Sequence, residues 1–287
     1  MDMGKVLIDG DIIAYRAAFS TQQDGSSDTE MKVDDLIQFI LEKTVLFPEL
    51  GLDYEVYLTG KGNFRYDIAK SHPYKGNRKS VQKPRHLQTA RDHMEVYYQA
   101  IISKGEEADD LIASAVKFYR ESDQQVLIVS ADKDLAQLIS KQVEQLLPPP
   151  TANPRLGWRV LNEQGVVEKF GVPPGAILDY LAIIGDQADN IPGLSGVGPK
   201  TASKWLQEFE NLENVILNAG RLNPKRFCSL VYEKRDMLRM NIELVRLESD
   251  LELNLNDQLQ PNLEMMEQIF SELEMAKSWE EAQKRYG

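Results

Sequence analysis

The sequence predicts an α/β fold, a parallel-type central sheet flanked by helices and followed by a helical C-terminal part, on three observations. Short apolar runs of strand length alternate with amphipathic stretches of helical period through the first half of the chain. From Pro173 onward the pattern is helical only. A length of 287 residues with 42% apolar and 27% charged side chains supports one large core, or a core with a small module, and excludes a disordered chain.

Val6 to Asp9 reads as the first strand, Val33 to Leu46 as a helix, Glu55 to Leu58 as a second strand, Ala108 to Tyr119 as a helix, and Val126 to Ser130 as a strand. Apolar strands joined by such helices form a parallel sheet covered on both faces, and ligands gather at the strand C-termini. Residues 148 to 155, Pro-Pro-Pro-Thr-Ala-Asn-Pro-Arg, mark an exposed loop within one domain before Trp158 to Leu161 resumes as a strand. Ala176, Ile177, Tyr180, Leu181 and Ile184 share a helix face, and Gly193 to Pro199 breaks the pattern. Leu263, Met266, Phe270 and Leu273 predict a tail helix over 263–279 that packs back on the body. The division is thus an α/β part over 1–172 and a helical part over 173–287, without internal repeats.

A single cysteine, Cys228, excludes an internal disulfide and a thiolate zinc site, so any metal is held by oxygen or histidine. No run approaches the roughly 18 apolar residues of a membrane span, and the expectation is a soluble, cytoplasmic chain. The net charge of −12 should repel nucleic acid as a whole. Locally the balance reverses: Lys61, Arg65, Lys70, Lys75, Arg78, Lys79, Lys83, Arg85 and Arg91 face only Asp67. A basic track of this kind suffices to bind phosphates, although such a run also serves as a solvated loop.

Asp9 ends the first strand, and Asp132 and Asp134 follow the strand Val126 to Ser130. Glu106, Glu107, Asp109 and Asp110 crowd a helix start, while Asp186 and Asp189 lie in Ile-Gly-Asp-Gln-Ala-Asp-Asn. Taken singly, each has an ordinary reading. Asp11 would cap the helix opening with Ile12, the cluster 106–110 would complement a helix dipole, and Asp134 would cap the helix of Leu135 and Leu138. Taken together they fall at the ligand-binding edge of one sheet, where their repulsion demands cations. Oxygen donors suit Mg²⁺ or Mn²⁺, and two such ions about 4 Å apart polarise a phosphodiester and lower the pKa of a bound water.

Gly196 and Gly198 frame Val197 ahead of a helix that begins near Pro199 and carries Lys200 and Thr201 in its first turn. The segment over about 185–209 resembles a helix-hairpin-helix, whose backbone N–H groups face a phosphate at a helix N-terminus. Its plain alternative is a connecting turn without a ligand. Trp205 reads as core rather than as a base-stacking residue.

Six motifs in order then resemble the 5′-nuclease superfamily of flap endonucleases and 5′→3′ exonucleases, particularly its bacteriophage and bacterial members. They are Ile-Asp-Gly-Asp (8–11), Tyr-Lys-Gly-Asn-Arg (74–78), Glu-Ala-Asp-Asp (107–110), Ser-Ala-Asp-Lys-Asp (130–134), Gly-Asp-Gln-Ala-Asp-Asn-Ile-Pro-Gly (185–193) and Gly-Val-Gly-Pro-Lys-Thr-Ala (196–202). The resemblance implies a Mg²⁺- or Mn²⁺-dependent enzyme with two ions, hydrolysing DNA at 5′ ends and flaps in replication or repair. It implies Asp9, Glu107 and Asp109 at a first metal, Asp110 between the sites, and Asp132, Asp134 and Asp186 with Asp189 at a second. It further implies Lys75 and Arg78 at the scissile phosphate and Tyr74 stacked on a terminal base. A basic helical arch or clamp over about 62–104, including Lys79, Lys83 and Arg85, would grip a 5′ strand. The hairpin, with Gly196, Gly198, Lys200 and Thr201, would hold duplex DNA, with K⁺ on its backbone carbonyls. A monomer recruited by replication proteins is the implied setting.

The chain departs from that pattern after its second strand, where the family places another aspartate and this sequence reads Tyr57-Leu58-Thr59-Gly60-Lys61. Thr59 or Gly60 occupies that place. The departure keeps open a catalytically impaired, structure-specific DNA-binding protein. A related α/β ribonuclease would leave the hairpin module without a purpose.

Overall fold

Every residue of β1 (Lys5–Asp9) is buried, as a strand covered on both faces requires. The computed structural model describes residues 4–43, 53–69, 72–80 and 82–253, together with Glu267, Ser271 and Gln283. Apart from Glu267 and Ser271, the tail expected as a helix over 263–279 lies outside the described residues, as do the predicted helical residues after Lys43. From β1 the chain passes through α1 (Gly10–Asp24), α2 (Thr29–Lys43), β2 (Tyr54–Lys61), the short α3 (Arg65–Ile68), α4 (Leu87–Tyr97), β3 (Ile101–Lys104), α5 (Ala108–Glu121) and β4 (Val126–Val129). β5 (Val143–Leu147) and β6 (Arg159–Leu161) complete a six-stranded sheet in the order β3-β2-β1-β4-β5-β6. Neighbours pair in parallel except β6, which runs antiparallel to β5.

The pleat sends alternate side chains to opposite layers. Val6, Ile8, Val56, Leu58, Leu127 and Val129 pack with α1, α2 and α4, whereas Leu7, Tyr57, Val126 and Ile128 pack against α5 through Leu111, Ile112 and Val116. α4 is pinned to α2 by buried Asp34, which meets His93 Nε2 at 2.7 Å and accepts from the Tyr98 hydroxyl at 2.5 Å.

β3 and β5 carry no strong strand signal. β3 reads Ile-Ile-Ser-Lys at a sheet edge, and β5 places Glu144 and Gln145 in mid-strand. Gln145 is fully buried because its amide braces the chain after β4, donating to the carbonyls of Ser130 (3.0 Å) and Asp132 (2.7 Å). Part of the span 62–104, expected as an arch, packs into the body. Ala90, His93 and Met94 of α4 are buried in the core and β3 joins the sheet, which leaves roughly the residues between β2 and α4 for such a role.

The helical part follows as α6 (Glu163–Phe170), α7 (Ile177–Ile184), a two-residue hairpin of β7 (Gly185–Asp186) and β8 (Ile191–Pro192), then α8 (Pro199–Phe209), α9 (Leu212–Leu217), α10 (Cys228–Glu233) and α11 (Arg235–Val245). Ile177, Leu181, Ala202, Trp205 and Leu206 are central to a second core. Trp205 is 1% exposed and donates through Nε1 to the Asn223 carbonyl at 2.8 Å, a core role as expected. No helix among the described residues is long and apolar enough to cross a membrane.

Candidate active site

From β1 the sheet grows one way through β2 and β3 and then returns to β4 on the other side, so the crevice beyond the C-terminal ends of β1 and β4 is the topological switch point where α/β sheets bind ligands. Asp9 ends β1 there, 4% exposed. Its Oδ1 caps α1 at the Ile12 amide (3.3 Å), and its Oδ2 accepts from Ser130 Oγ after β4 (2.7 Å). The same Ser130 hydroxyl accepts from the Asp132 amide, and Asp132 in turn accepts from the Asp134 amide. The run Ser130 to Asp134 is thereby folded so that its two acids face Asp9 and the helical part.

One carboxylate oxygen from each of Asp134, Asp186 and Asp189 lies within 4.8 Å of the others, and all three side chains are buried. Asp186 comes from β7 and Asp189 from the β7–β8 turn, so the hairpin exists to project acids at the sheet. Asp134 Oδ1 is buried with no hydrogen-bond partner. A buried carboxylate oxygen without a hydrogen bond, on a residue grouped with two other buried carboxylates, is costly for the protein alone, and a hard divalent cation resolves it. The donor set therefore fits the divalent ion that the sequence predicts.

Cationic and hydroxyl groups bind these acids from the side of the basic segment. Lys75 pairs with Glu107 and stands 3.8 Å from Asp189, and Arg78 meets Asp189 at 2.5 Å. Lys75 adopts φ of 52°, unusual for a residue with a side chain, and its amide donates to the Asp189 carbonyl at 2.9 Å. Strain held in this way is characteristic of functional positions. Asn63 supports Glu107 at 2.7 Å, a contact no sequence motif announces.

Four of these residues have surroundings that the sequence does not announce. Asp110, expected between two metals, is fully buried and forms a two-pronged pair with Arg65 at 2.6 and 2.7 Å. It also accepts from the amides of Glu107 and Glu248, so both oxygens are committed to structure. The charge of Asp132 acts on Asp9, Asp109 and Asp134 alike. Tyr74, expected to stack on a base, is 5% exposed. Its hydroxyl bridges Glu107 (3.1 Å) and Asp189 (2.9 Å), while exposed Tyr66 lies edge-on to it. Arg65, part of the basic run, is buried, and Asp11, read as a helix cap, instead pairs with Arg91. Lys83 and Arg85 are exposed, and the Lys79 side chain lies outside the described residues.

The structure resolves the choice between Thr59 and Gly60. A Cβ on Gly60 would stand 1.9 Å from the Ser103 carbonyl oxygen, so no side chain fits there. Thr59 faces the start of α5, where its Oγ1 accepts from the Ala108 amide at 3.1 Å; its own amide donates to Asp11 at 2.9 Å and its carbonyl accepts from Arg91 at 2.5 Å. Thr59→Asp is expected to lower the Mg²⁺ concentration for half-maximal activity about threefold to tenfold, since an added anion beside Glu107 and Asp109 attracts a hard cation. A metal titration with no shift would mean that the hydroxyl already serves.

The glycine turn divides its labour. Gly196 has φ of 75°, which the turn requires, whereas Gly198 precedes α8 with φ of −101° and open space at its Cβ. Lys200 is exposed and Thr201 half-buried at the helix start. Gly198→Val should therefore fold normally and still weaken binding to flapped DNA with a long downstream duplex more than to short single strands. Equal loss on both substrates would remove this turn as a duplex anchor.

Burial, then the charges of Asp11 and Asp132, raise the Asp9 carboxyl to about 7. Burial and neighbouring acids raise Asp109 and Asp134 in the same sense. A carboxyl raised in the folded state contributes stability below its ordinary value of 3.8 and loses that contribution as pH rises through about 7. Metal-free protein should thus melt at lower temperature at about pH 8 than at about pH 5, with a divalent ion restoring most of the difference. A flat profile would show that burial and neighbouring charge do not raise these carboxyls.

Acids gathered at a parallel-sheet switch point and faced by a lysine and an arginine form a site whose donors suit a divalent cation. Residues 5–171 match the family described as 5′-3′ exonuclease, N-terminal resolvase-like domain, and residues 172–268 match its C-terminal SAM fold. The chain belongs to the 5′-3′ exonuclease family. It is 35% identical over 184 residues to the 5′-3′ exonuclease of Aquifex aeolicus, covering 63% of this chain and 60% of that protein. It is 29% identical over 276 residues to the thermostable DNA polymerase I of Thermus thermophilus, covering 94% of this chain but only 32% of the polymerase. Its fold is similar to that of the bacteriophage T5 flap endonuclease solved with DNA and metal ions, with a TM-score of 0.64 and 21% identity, covering 85% of this chain and 89% of that one.

Proposed function

We propose that the chain is a divalent-metal-dependent 5′ nuclease that hydrolyses DNA phosphodiesters at 5′ ends and 5′ flaps. The observation that carries this reading is the convergence of Asp9, Asp132, Asp134, Asp186 and Asp189 on one crevice with Lys75 and Arg78 clamped across it. Asp9, Glu107 and Asp109 would hold a first ion, Asp134, Asp186 and Asp189 a second, with Asp132 between. Bound there, Mg²⁺ or Mn²⁺ would supply an activated water and charge stabilisation for the leaving oxygen. The chain's own residues bind and orient. Arg78, half-exposed at the rim, meets an incoming phosphate, Lys75 offsets charge developing on it, and Tyr74 fixes Glu107 relative to Asp189. Lys83 and Arg85 extend the track for a 5′ strand, and the turn at Gly196 and Gly198 supports the duplex, with K⁺ on its carbonyls. The T5 relative was solved with DNA and metal ions, which supports the substrate class. We read the protein as a cytoplasmic monomer working beside replication proteins.

Thr59 favours a second reading, a DNA-binding protein of the same fold with impaired catalysis, because no carboxylate ends β2. Incubating purified protein with a 5′-labelled flap substrate, with Mg²⁺ or with a chelator, separates the two. Mg²⁺-dependent product supports the nuclease; retained binding without product at any Mg²⁺ or Mn²⁺ concentration replaces it with the binder.

A further inference from the structure

Lys133 lies between two acids of the proposed ion site and has no part in the mechanism above. Its ammonium meets Asp186 Oδ2 at 2.5 Å and stands 3.7 Å from Asp134 Oδ1, the buried oxygen without a hydrogen-bond partner. The other Asp186 oxygen is taken by the Ala188 amide at 2.8 Å. At Asp189, Arg78 and Tyr74 occupy one oxygen each. Among the described residues Lys133 is the one ammonium seated on Asp186, so an ion that draws on Asp186 Oδ2 meets it as a competitor. A lysine suits such an exchange, being a compact charge on a flexible four-carbon stem, and its side chain is 31% exposed, so it has room to leave. Lys75, tied to Glu107 and Asp189 and only 18% exposed, has less freedom.

We infer that Lys133 is an exchangeable counter-ion, displaced from Asp186 by the divalent ion and then available at the mouth of the crevice to bind a DNA phosphate. The inference rests on reading Asp134, Asp186 and Asp189 as an ion site. Its consequence is a coupling: ion binding liberates the cation that helps hold the substrate, so ion and DNA favour one another.

The test is a Mn²⁺ titration without DNA, in which electron paramagnetic resonance counts free ion, on the full chain and on Lys133→Met, with Lys133→Gln as a second variant and melting curves for both. Removing the competitor should tighten Mn²⁺ binding by roughly threefold to tenfold, the opposite of what damage to the site would do. Anisotropy with a flapped DNA should then show that Ca²⁺ increases affinity less in Lys133→Met than in the parent. Unchanged or weaker Mn²⁺ binding in folded variants overturns the role of Lys133 alone. Absence of Mn²⁺ binding by the parent overturns the ion-site reading and this inference with it.

Discussion

Asp134→Asn is expected to lower Mg²⁺-dependent cleavage by roughly three orders of magnitude while DNA affinity holds or improves. Asp134 is 8% exposed, burial raises its carboxyl well above the ordinary range, and its Oδ1 has no hydrogen-bond partner within the protein. An amide of the same shape keeps the packing and removes the anion that a divalent ion needs, while also removing a charge that repels phosphate. Asp132→Asn should act similarly, because Asp132 influences Asp9 and Asp109 on one side and Asp134 on the other. Single-turnover kinetics at saturating enzyme distinguish lost chemistry from lost binding. Near-normal turnover in Asp134→Asn would defeat the assignment.

Arg65→Ala is expected to destabilise the fold by about 3–5 kcal/mol, because it leaves the Asp110 carboxylate buried without its counter-charge. Arg65 is 2% exposed. Besides Asp110 it donates to the carbonyls of Leu244 and Arg246, so one guanidinium joins the start of α5 to the chain leaving α11. Calorimetry should show the melting temperature falling by roughly 10 °C. Replacing both partners, as Arg65→Met with Asp110→Leu, should recover part of the loss, although the amides of Glu107 and Glu248 would lose their acceptor. A change within 1 °C on Arg65→Ala would place this pair at the surface rather than at a buried joint.

The contrast between these residues shows what was legible in the sequence. Acids at the C-terminal ends of β1 and β4 were readable because strand direction and strand ends can be inferred from apolar runs, and a parallel sheet brings such ends together. Asp110 and Asp132 could not be distinguished. Both are aspartates beside other acids at element boundaries, and only the arrival of Arg65 from a distant segment commits one of them to structure. The basic run was visible as charge, but burial of Arg65 and pairing of Arg91 with Asp11 depend on α3 and α4 folding onto the core. Tyr74 followed the same rule: its motif was evident, its orientation was not. Gln145 in β5 concealed a strand because the polar side chain serves the loop of Asp132 rather than solvent. Nothing in the sequence separates Gly60 from Thr59; the Ser103 carbonyl packed against Gly60 does.

Anomalous diffraction from crystals soaked in Mn²⁺ tests the central claim most directly. One ion is expected among Asp134, Asp186 and Asp189 at about 2.1–2.2 Å from their oxygens, and a second near Asp9, Glu107 and Asp109, about 4 Å from the first. Crystals of protein that cuts flapped DNA in Mn²⁺ yet show no anomalous peak at these carboxylates would contradict it.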